Sequence, residues 1–138
     1  MSKAIASDIK VVVNGTTLSN WAFKVDLHLE KEKVDVSGFN SLGSKEFLPG
    51  QSTEEFVVSF RQDFAASAVD QTLWPLYNTG TSFVVSVNPT SSSPSSTNPT
   101  YSGTANLYEY HPLDADLGAV SETQVTFAIN GGVTRGTA

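Results

Sequence analysis

Phe23-Lys24-Val25-Asp26-Leu27-His28-Leu29-Glu30 alternates apolar and polar residues without a break. At 180° per residue the four apolar side chains share one face and the charged ones the other, the pattern of a half-buried β-strand. On a helix the same four would scatter round the whole circumference. Val34 and Val36 carry the alternation on across Asp35. Upstream, Ile9, Val11 and Val13 alternate with Lys10 and Val12, then stop at Asn14-Gly15, the strongest short hairpin signal. Asn14-Gly15-Thr16 also matches a glycosylation sequon, but the turn is the better reading. Leu18 and Trp21 resume on the far side.

Downstream, Phe56, Val58 and Phe60 give another strand, and Phe83, Val85 and Val87 the next. Tyr101 to His111 reads as a strand with Ala105, Leu107, Tyr108 and Tyr110. Val120 to Ile129 reads as the last, with Val125, Phe127 and Ile129 on one face. One helix is expected, over Ala65 to Tyr77, with Ser67 or Asp70 as its cap and Asn78-Thr79-Gly80 as its stop. Its packing residues are Val69, Leu73, Trp74 and Leu76; Pro75 shortens or kinks it. Seven or eight strands and one short helix in 138 residues make a single, mostly β domain spanning 1–138. The fold class is an antiparallel β-sandwich or barrel.

Three stretches lack periodicity. Residues 37–51 form a long loop that carries Phe39, Leu42, Phe47 and Leu48. Apolar residues there need burial, either against their own domain or against a partner subunit. Residues 89–99, Pro-Thr-Ser-Ser-Ser-Pro-Ser-Ser-Thr-Asn-Pro, form a polar tract without apolar area to offset ordering entropy, hence an exposed loop or hairpin tip. Gly131-Gly132 releases a C-terminal tail, 131–138.

Composition narrows function by exclusion. With no cysteine, disulfide scaffolds, thiolate metal sites and cysteine nucleophiles are ruled out. A net charge of −6, with Arg135 the only basic residue after Arg61, argues against a binder that grips nucleic acid. The longest apolar run, Val11-Val12-Val13, is far short of a membrane span, and residues 1–10 lack the apolar core of a signal for Sec export. Charged residues are only 16%, so serine, threonine and asparagine must cover much of the outside. Sparse charge, an apolar-studded loop and loose ends suit a subunit that packs against copies of itself.

No catalytic constellation emerges. His28 lies between Asp26 and Glu30 on a charged strand face, which is ordinarily a solvated row. His111, Asp114 and Asp116 lack calcium-loop spacing, and turn aspartates usually bond their own backbone. Glu54 and Glu55 point to opposite faces. There is no nucleophile elbow, phosphate-cradling loop or H-E-x-x-H. Catalytic, cofactor and metal residues are therefore expected to be absent, and the chain is not expected to be an enzyme.

The order of short motifs resembles that of tail proteins of long, non-contractile-tailed phages of actinobacteria. The resemblance is carried by Val11-Val12-Val13-Asn14-Gly15-Thr16, Val34-Asp35-Val36-Ser37, Phe47-Leu48-Pro49-Gly50, Phe60-Arg61-Gln62-Asp63-Phe64-Ala65-Ala66 and Val69-Asp70-Gln71-Thr72-Leu73-Trp74-Pro75-Leu76. Thr97-Asn98-Pro99-Thr100-Tyr101-Ser102-Gly103, Tyr110-His111-Pro112-Leu113 and Gly132-Val133-Thr134-Arg135 extend it over nearly the whole chain. It implies a major tail (tail tube) protein, a β-sandwich with one flanking helix that assembles into stacked hexameric rings round a DNA-conducting channel. Phe39, Leu42, Phe47 and Leu48 would then bridge rings, with Val133 and Arg135 making inter-subunit contacts. Six copies at −6 would give a ring −36, repelling DNA so that it passes without specific binding. The implied setting is the virion, assembled in the host cytoplasm, with tape-measure, tail terminator and distal tail proteins as partners and no membrane. The alternatives are a capsid decoration protein and, from another class, a carbohydrate-binding β-sandwich using Trp21 or Trp74.

Overall fold

Asn14 and Gly15 turn the chain as the sequence predicts. Both have positive φ, 50° and 81°, the left-handed pair that a type I′ turn requires. They join β1 (Lys10–Val13) to β2 (Thr16–Thr17). The computed structural model describes residues 8–39 and 42–137. The N-terminal loose end before Asp8, residues 40 and 41 of the long loop, and Ala138 lie outside the described residues.

The remaining elements are β3 (Ala22–Asp35), β4 (Phe47–Arg61), α1 (Val69–Thr79), β5 (Phe83–Asn88), β6 (Thr100–Asn106) and β7 (Glu122–Gly136). Among the described residues seven strands form one antiparallel sheet in the order β2-β1-β5-β6-β7-β4-β3. β2 and β3 occupy opposite edges, yet only residues 18–21 separate them in sequence. That span reaches about 18 Å at most, whereas seven flat strands are about 29 Å wide. The sheet must therefore curl until its edges approach. Leu18 N–H donates to Val11 O at 2.9 Å, and Arg61 N–H donates to Trp21 O at 2.7 Å, stitching the closure. The mostly β, antiparallel sandwich or barrel with one short helix is what forms, as one continuous ladder instead of two separate sheets.

The core follows from register. Cross-strand rows Val125–Val58–Val25 and Phe127–Phe56–Leu27 run over β7, β4 and β3, and Phe83–Ala105–Ile129 runs over β5, β6 and β7. Phe56, Phe60 and Phe127 are fully buried, and Phe83 meets Phe127 edge to face at 5.8 Å. A Cβ at Gly103, which pairs with Val85, would come 2.8 Å from Ile129 Cγ2, so a side chain there would crowd β7.

Several expectations need correction. The helix begins at Val69, not Ala65, because Ser67 sits at φ 61° and Ala68 is extended. Neither Ser67 nor Asp70 caps it, and it stops at Gly80 as predicted. Trp74 does not pack: Val69, Leu73 and Leu76 fill the buried stripe, while Trp74 is 48% exposed beside Tyr77. Pro75 stays inside the helix, since the Gln71 carbonyl it deprives of a donor lies on the exposed side.

The strand expected over 101–111 ends at Asn106, and the last one begins at Glu122, not Val120. The loop expected over 37–51 is shorter, because Phe47 already pairs with Asp35 and Leu48 with Val34. Residues 131–137 do not form a free tail. Gly131 and Gly132, at φ 83° and 93°, accommodate a bulge, after which Thr134 pairs with Ser102 and Arg135 with Tyr101.

The 89–99 tract is the expected loop, closing the β5–β6 hairpin. A buried Asn98 organises it. The Asn98 side chain accepts from Thr90 N–H at 3.0 Å and donates to Ser92 O at 2.9 Å and Ser93 O at 3.2 Å. Hydrogen bonds here replace the apolar burial that the tract lacks.

Candidate assembly surface

β4 gains its second neighbour, β7, only from Glu55 onward. Before that point β3 and β4 continue as a two-stranded ribbon, closed by the loop 36–46, and this ribbon is an arm. Every described residue from His28 to Thr53 is exposed. Two hydrogen bonds within the tip help to shape it: Ser37 N–H donates to Asp35 Oδ1 at 2.9 Å, and Glu46 N–H donates to Ser37 Oγ at 2.6 Å. The Ser37 backbone bond, with its hydroxyl, holds the Asp35 carboxyl below its usual pKa. An isolated two-stranded ribbon is marginally stable in water.

The four loop residues singled out in sequence all belong to the arm. Phe39 and Leu42, at the tip, are 106% and 92% exposed. Phe47 and Leu48 are exposed strand residues on opposite faces. Lys33 Nζ stands 4.2 Å over the Phe47 ring, and Val34 pairs across from Leu48. A Cβ at Gly50 would come 2.9 Å from Val34 Cγ2, so the arm's crease requires a residue without a side chain. Val133 and Arg135 sit elsewhere, in β7. Val133 packs partly against the core, and Arg135 Nε donates to Tyr101 Oη at 3.3 Å.

The outward face of the curled sheet is polar and largely uncharged. Its rows read Ser86–Ser102–Thr134 and Val84–Thr104–Asn130, with Gln124 and Thr126 further along β7. Charges gather on β3, where His28 approaches Glu30 at 3.9 Å. Hydroxyls and amides thus cover the outside, as the composition requires. β3 is an edge strand, and its outer row of backbone groups has no strand partner among the described residues.

A further surface escaped the sequence reading. Between β6 and β7 the chain runs irregularly over 107–121 and displays Tyr108, Leu113, Leu117 and Val120. Tyr110 fixes this segment: its hydroxyl donates to Asp70 Oδ1 at 2.8 Å and accepts from Gln62 Nε2 at 3.0 Å. Gln62 also donates to Pro112 O at 2.9 Å. Burial raises the Tyr110 pKa, and the nearby Asp70 carboxylate adds to it. Period-two reading extended the preceding strand through this stretch. The signal that could have exposed the error was Leu113 and Leu117 falling between Pro112 and Gly118.

The titratable side chains do not converge. His111 contacts Glu109 at 2.9 Å, not Asp114 or Asp116. Among the described residues no three histidine or acidic side chains are placed to hold a metal ion. Trp21 donates its indole N–H to Asp63 Oδ2 at 2.8 Å, a structural tie between the closure and the helix entry.

No protein-family model matches the chain, and no curated protein matches it in sequence. Its fold, however, is that of several solved virion chains. A chain of the native gene transfer agent virion superposes with TM-score 0.78 at 12% identity, covering 96% of this chain and 98% of that one. The SPP1 tail tube gives TM-score 0.78 at 10% identity, covering 99% of this chain and 80% of that one. A chain from the tail of the empty gene transfer agent particle, which has C6 symmetry, gives TM-score 0.73 at 16% identity and covers 94% of each.

Proposed function

We propose that this protein is the major tail tube subunit of a long, non-contractile-tailed phage of actinobacteria. On this reading it polymerises into stacked hexameric rings that conduct DNA. The carrying observation is the end-to-end match of its fold to the SPP1 tail tube and to a chain from a six-fold symmetric tail. The arm supports it: a ribbon unsupported in its own chain gains a partner when rings stack. Phe39, Leu42, Phe47 and Leu48 then bridge to the next ring. Val133 and Arg135, held on β6, offer subunit contacts from a fixed position. The open edge of β3 joins a neighbouring subunit round the ring.

The net charge of −6 suits a channel that repels phosphate, so DNA passes without specific binding. The same assembly calls for tape-measure, terminator and distal tail proteins along and at the ends of the tube, within a virion built in the host cytoplasm. Negative-stain images of the purified protein test the proposal. Rings or tubes with six-fold symmetry are expected. A protein that stays monomeric at high concentration, or forms trimeric knobs on capsids, would overturn it.

A further inference from the structure

We infer that Asn14 is a site of spontaneous covalent modification, where the chain's own Gly15 nitrogen converts the asparagine to aspartate and isoaspartate. The inference stands apart from the tube reading. Asn-Gly occurs twice in the chain, at 14–15 and at 130–131. Both glycines have positive φ, 81° and 83°, and all four residues are exposed. Glycine has no Cβ to hinder its nitrogen, so both pairs carry the same intrinsic chemistry. What holds each asparagine side chain separates them.

At the β1–β2 turn, Asn14 N–H donates to Val84 O at 2.8 Å, which fixes the main chain. The Asn14 side-chain amide makes no hydrogen bond among the described residues, and neither does Gly15 N–H. The electrophilic carbon and the nucleophilic nitrogen are adjacent, unblocked and open to water. Asn130 is tethered. Its Nδ2 donates to Asn106 Oδ1 at 2.8 Å. Asn106 is fixed in turn, donating to Gly80 O at 3.1 Å and accepting from the Ser82 hydroxyl at 3.2 Å. The main chain of Asn130 is also paired with Thr104 in the β6–β7 ladder. To react, Asn130 must break its side-chain bond and turn Cγ toward the Gly131 nitrogen. Asn14 has no such bond to break.

The step needs only water. The Gly15 nitrogen gives up its proton and bonds to Asn14 Cγ. The Cγ–Nδ2 bond breaks and ammonia leaves with a proton, closing a five-membered succinimide. Water then opens either ring carbonyl, leaving a carboxylate and taking the net charge from −6 to −7. Nothing is oxidised or reduced. The isoaspartate product adds a methylene to the main chain inside a turn that sets Val13 against Thr16 and Val12 against Thr17. Leu18, which stitches the sheet closure to Val11, follows directly. Modified chains should therefore melt below unmodified ones.

Peptide mass spectrometry of the unaltered protein, held warm at mildly alkaline pH below its melting point, reads both sites in one digest. The urea-unfolded chain supplies the intrinsic rates, which should be similar at the two sites. In the folded protein Asn14 should convert roughly fivefold or more faster than Asn130, the factor one hydrogen bond contributes. Retention of the amide at Asn14, or equal rates at the two sites, would overturn the inference. Asn106→Ala should bring Asn130 up toward the rate of Asn14. Asn106→Asp, which keeps an acceptor for Asn130 Nδ2, should leave it slow. An Asn130 rate unmoved by Asn106→Ala would overturn the role given to the tether.

Discussion

β4 contains two halves with the same neighbour and opposite fates. From Phe47 to Glu54 it pairs only with β3 and is largely exposed; from Glu55 to Arg61 it pairs with β3 and β7 and supplies the fully buried Phe56 and Phe60. Apolar residues occur in both halves: Phe47 and Leu48 in the first, Phe56, Val58 and Phe60 in the second. The difference lies in what packs on them. A third strand, β7, flanks one half, while among the described residues only β3 pairs with the other. Burial belongs to the assembly around a strand and not to its own pattern.

The largest effect should come from the covered half. Phe127→Ala removes the ring that meets Phe83 and lies in the row with Phe56. A loss of about 3–5 kcal/mol is expected in denaturant unfolding. A loss under about 1 kcal/mol would mean that the two halves differ less than their burial suggests.

Changing Phe47 and Leu48 together to Ser tests the uncovered half. Assembly should weaken by roughly 2–4 kcal/mol per subunit. The monomer's circular dichroism and melting should stay as they are. Unfolding of the monomer would place these residues in its own core and erase the contrast.

Tyr110→Phe strikes the anchor between the body and the 107–121 segment. Losing bonds to Asp70 and Gln62 should cost about 1–2 kcal/mol. The hydroxyl's pKa is raised in the folded state above its unfolded value of 10.0. Its contribution is therefore fully present below pH 10 and lost as pH rises beyond it. Unfolding monitored against pH should show an alkaline loss of stability above about pH 10 that the Phe variant lacks.

The smallest effect should be at the arm's tip. Asp35→Asn leaves the acceptor of Ser37 N–H uncharged at an exposed position. The global melting temperature should stay in place, while amide exchange at Ser37 accelerates. A large shift in global melting would show that the arm and body unfold as one.

Several features were legible without any fold. Asn14-Gly15 dictated its turn through backbone sterics, because both residues tolerate positive φ. The alternations round Val11, Val25, Phe56, Val85 and Val125 marked strands, and Gly80 marked the helix stop, since these are local properties of the chain. The missing cysteines and sparse charge shaped the surface, read correctly as serine, threonine and amide. Local pattern failed where tertiary contacts decide. Phe47 and Leu48 look like loop residues until β3 pairs with them. Gly131-Gly132 looks like a release until β6 holds Thr134 and Arg135 beyond it. Trp74 looks like core until Val69, Leu73 and Leu76 have filled the space. The exposed segment at 107–121 was hidden for the same reason. Whether an apolar residue is buried depends on which distant strand reaches it, and only the curled sheet fixes that.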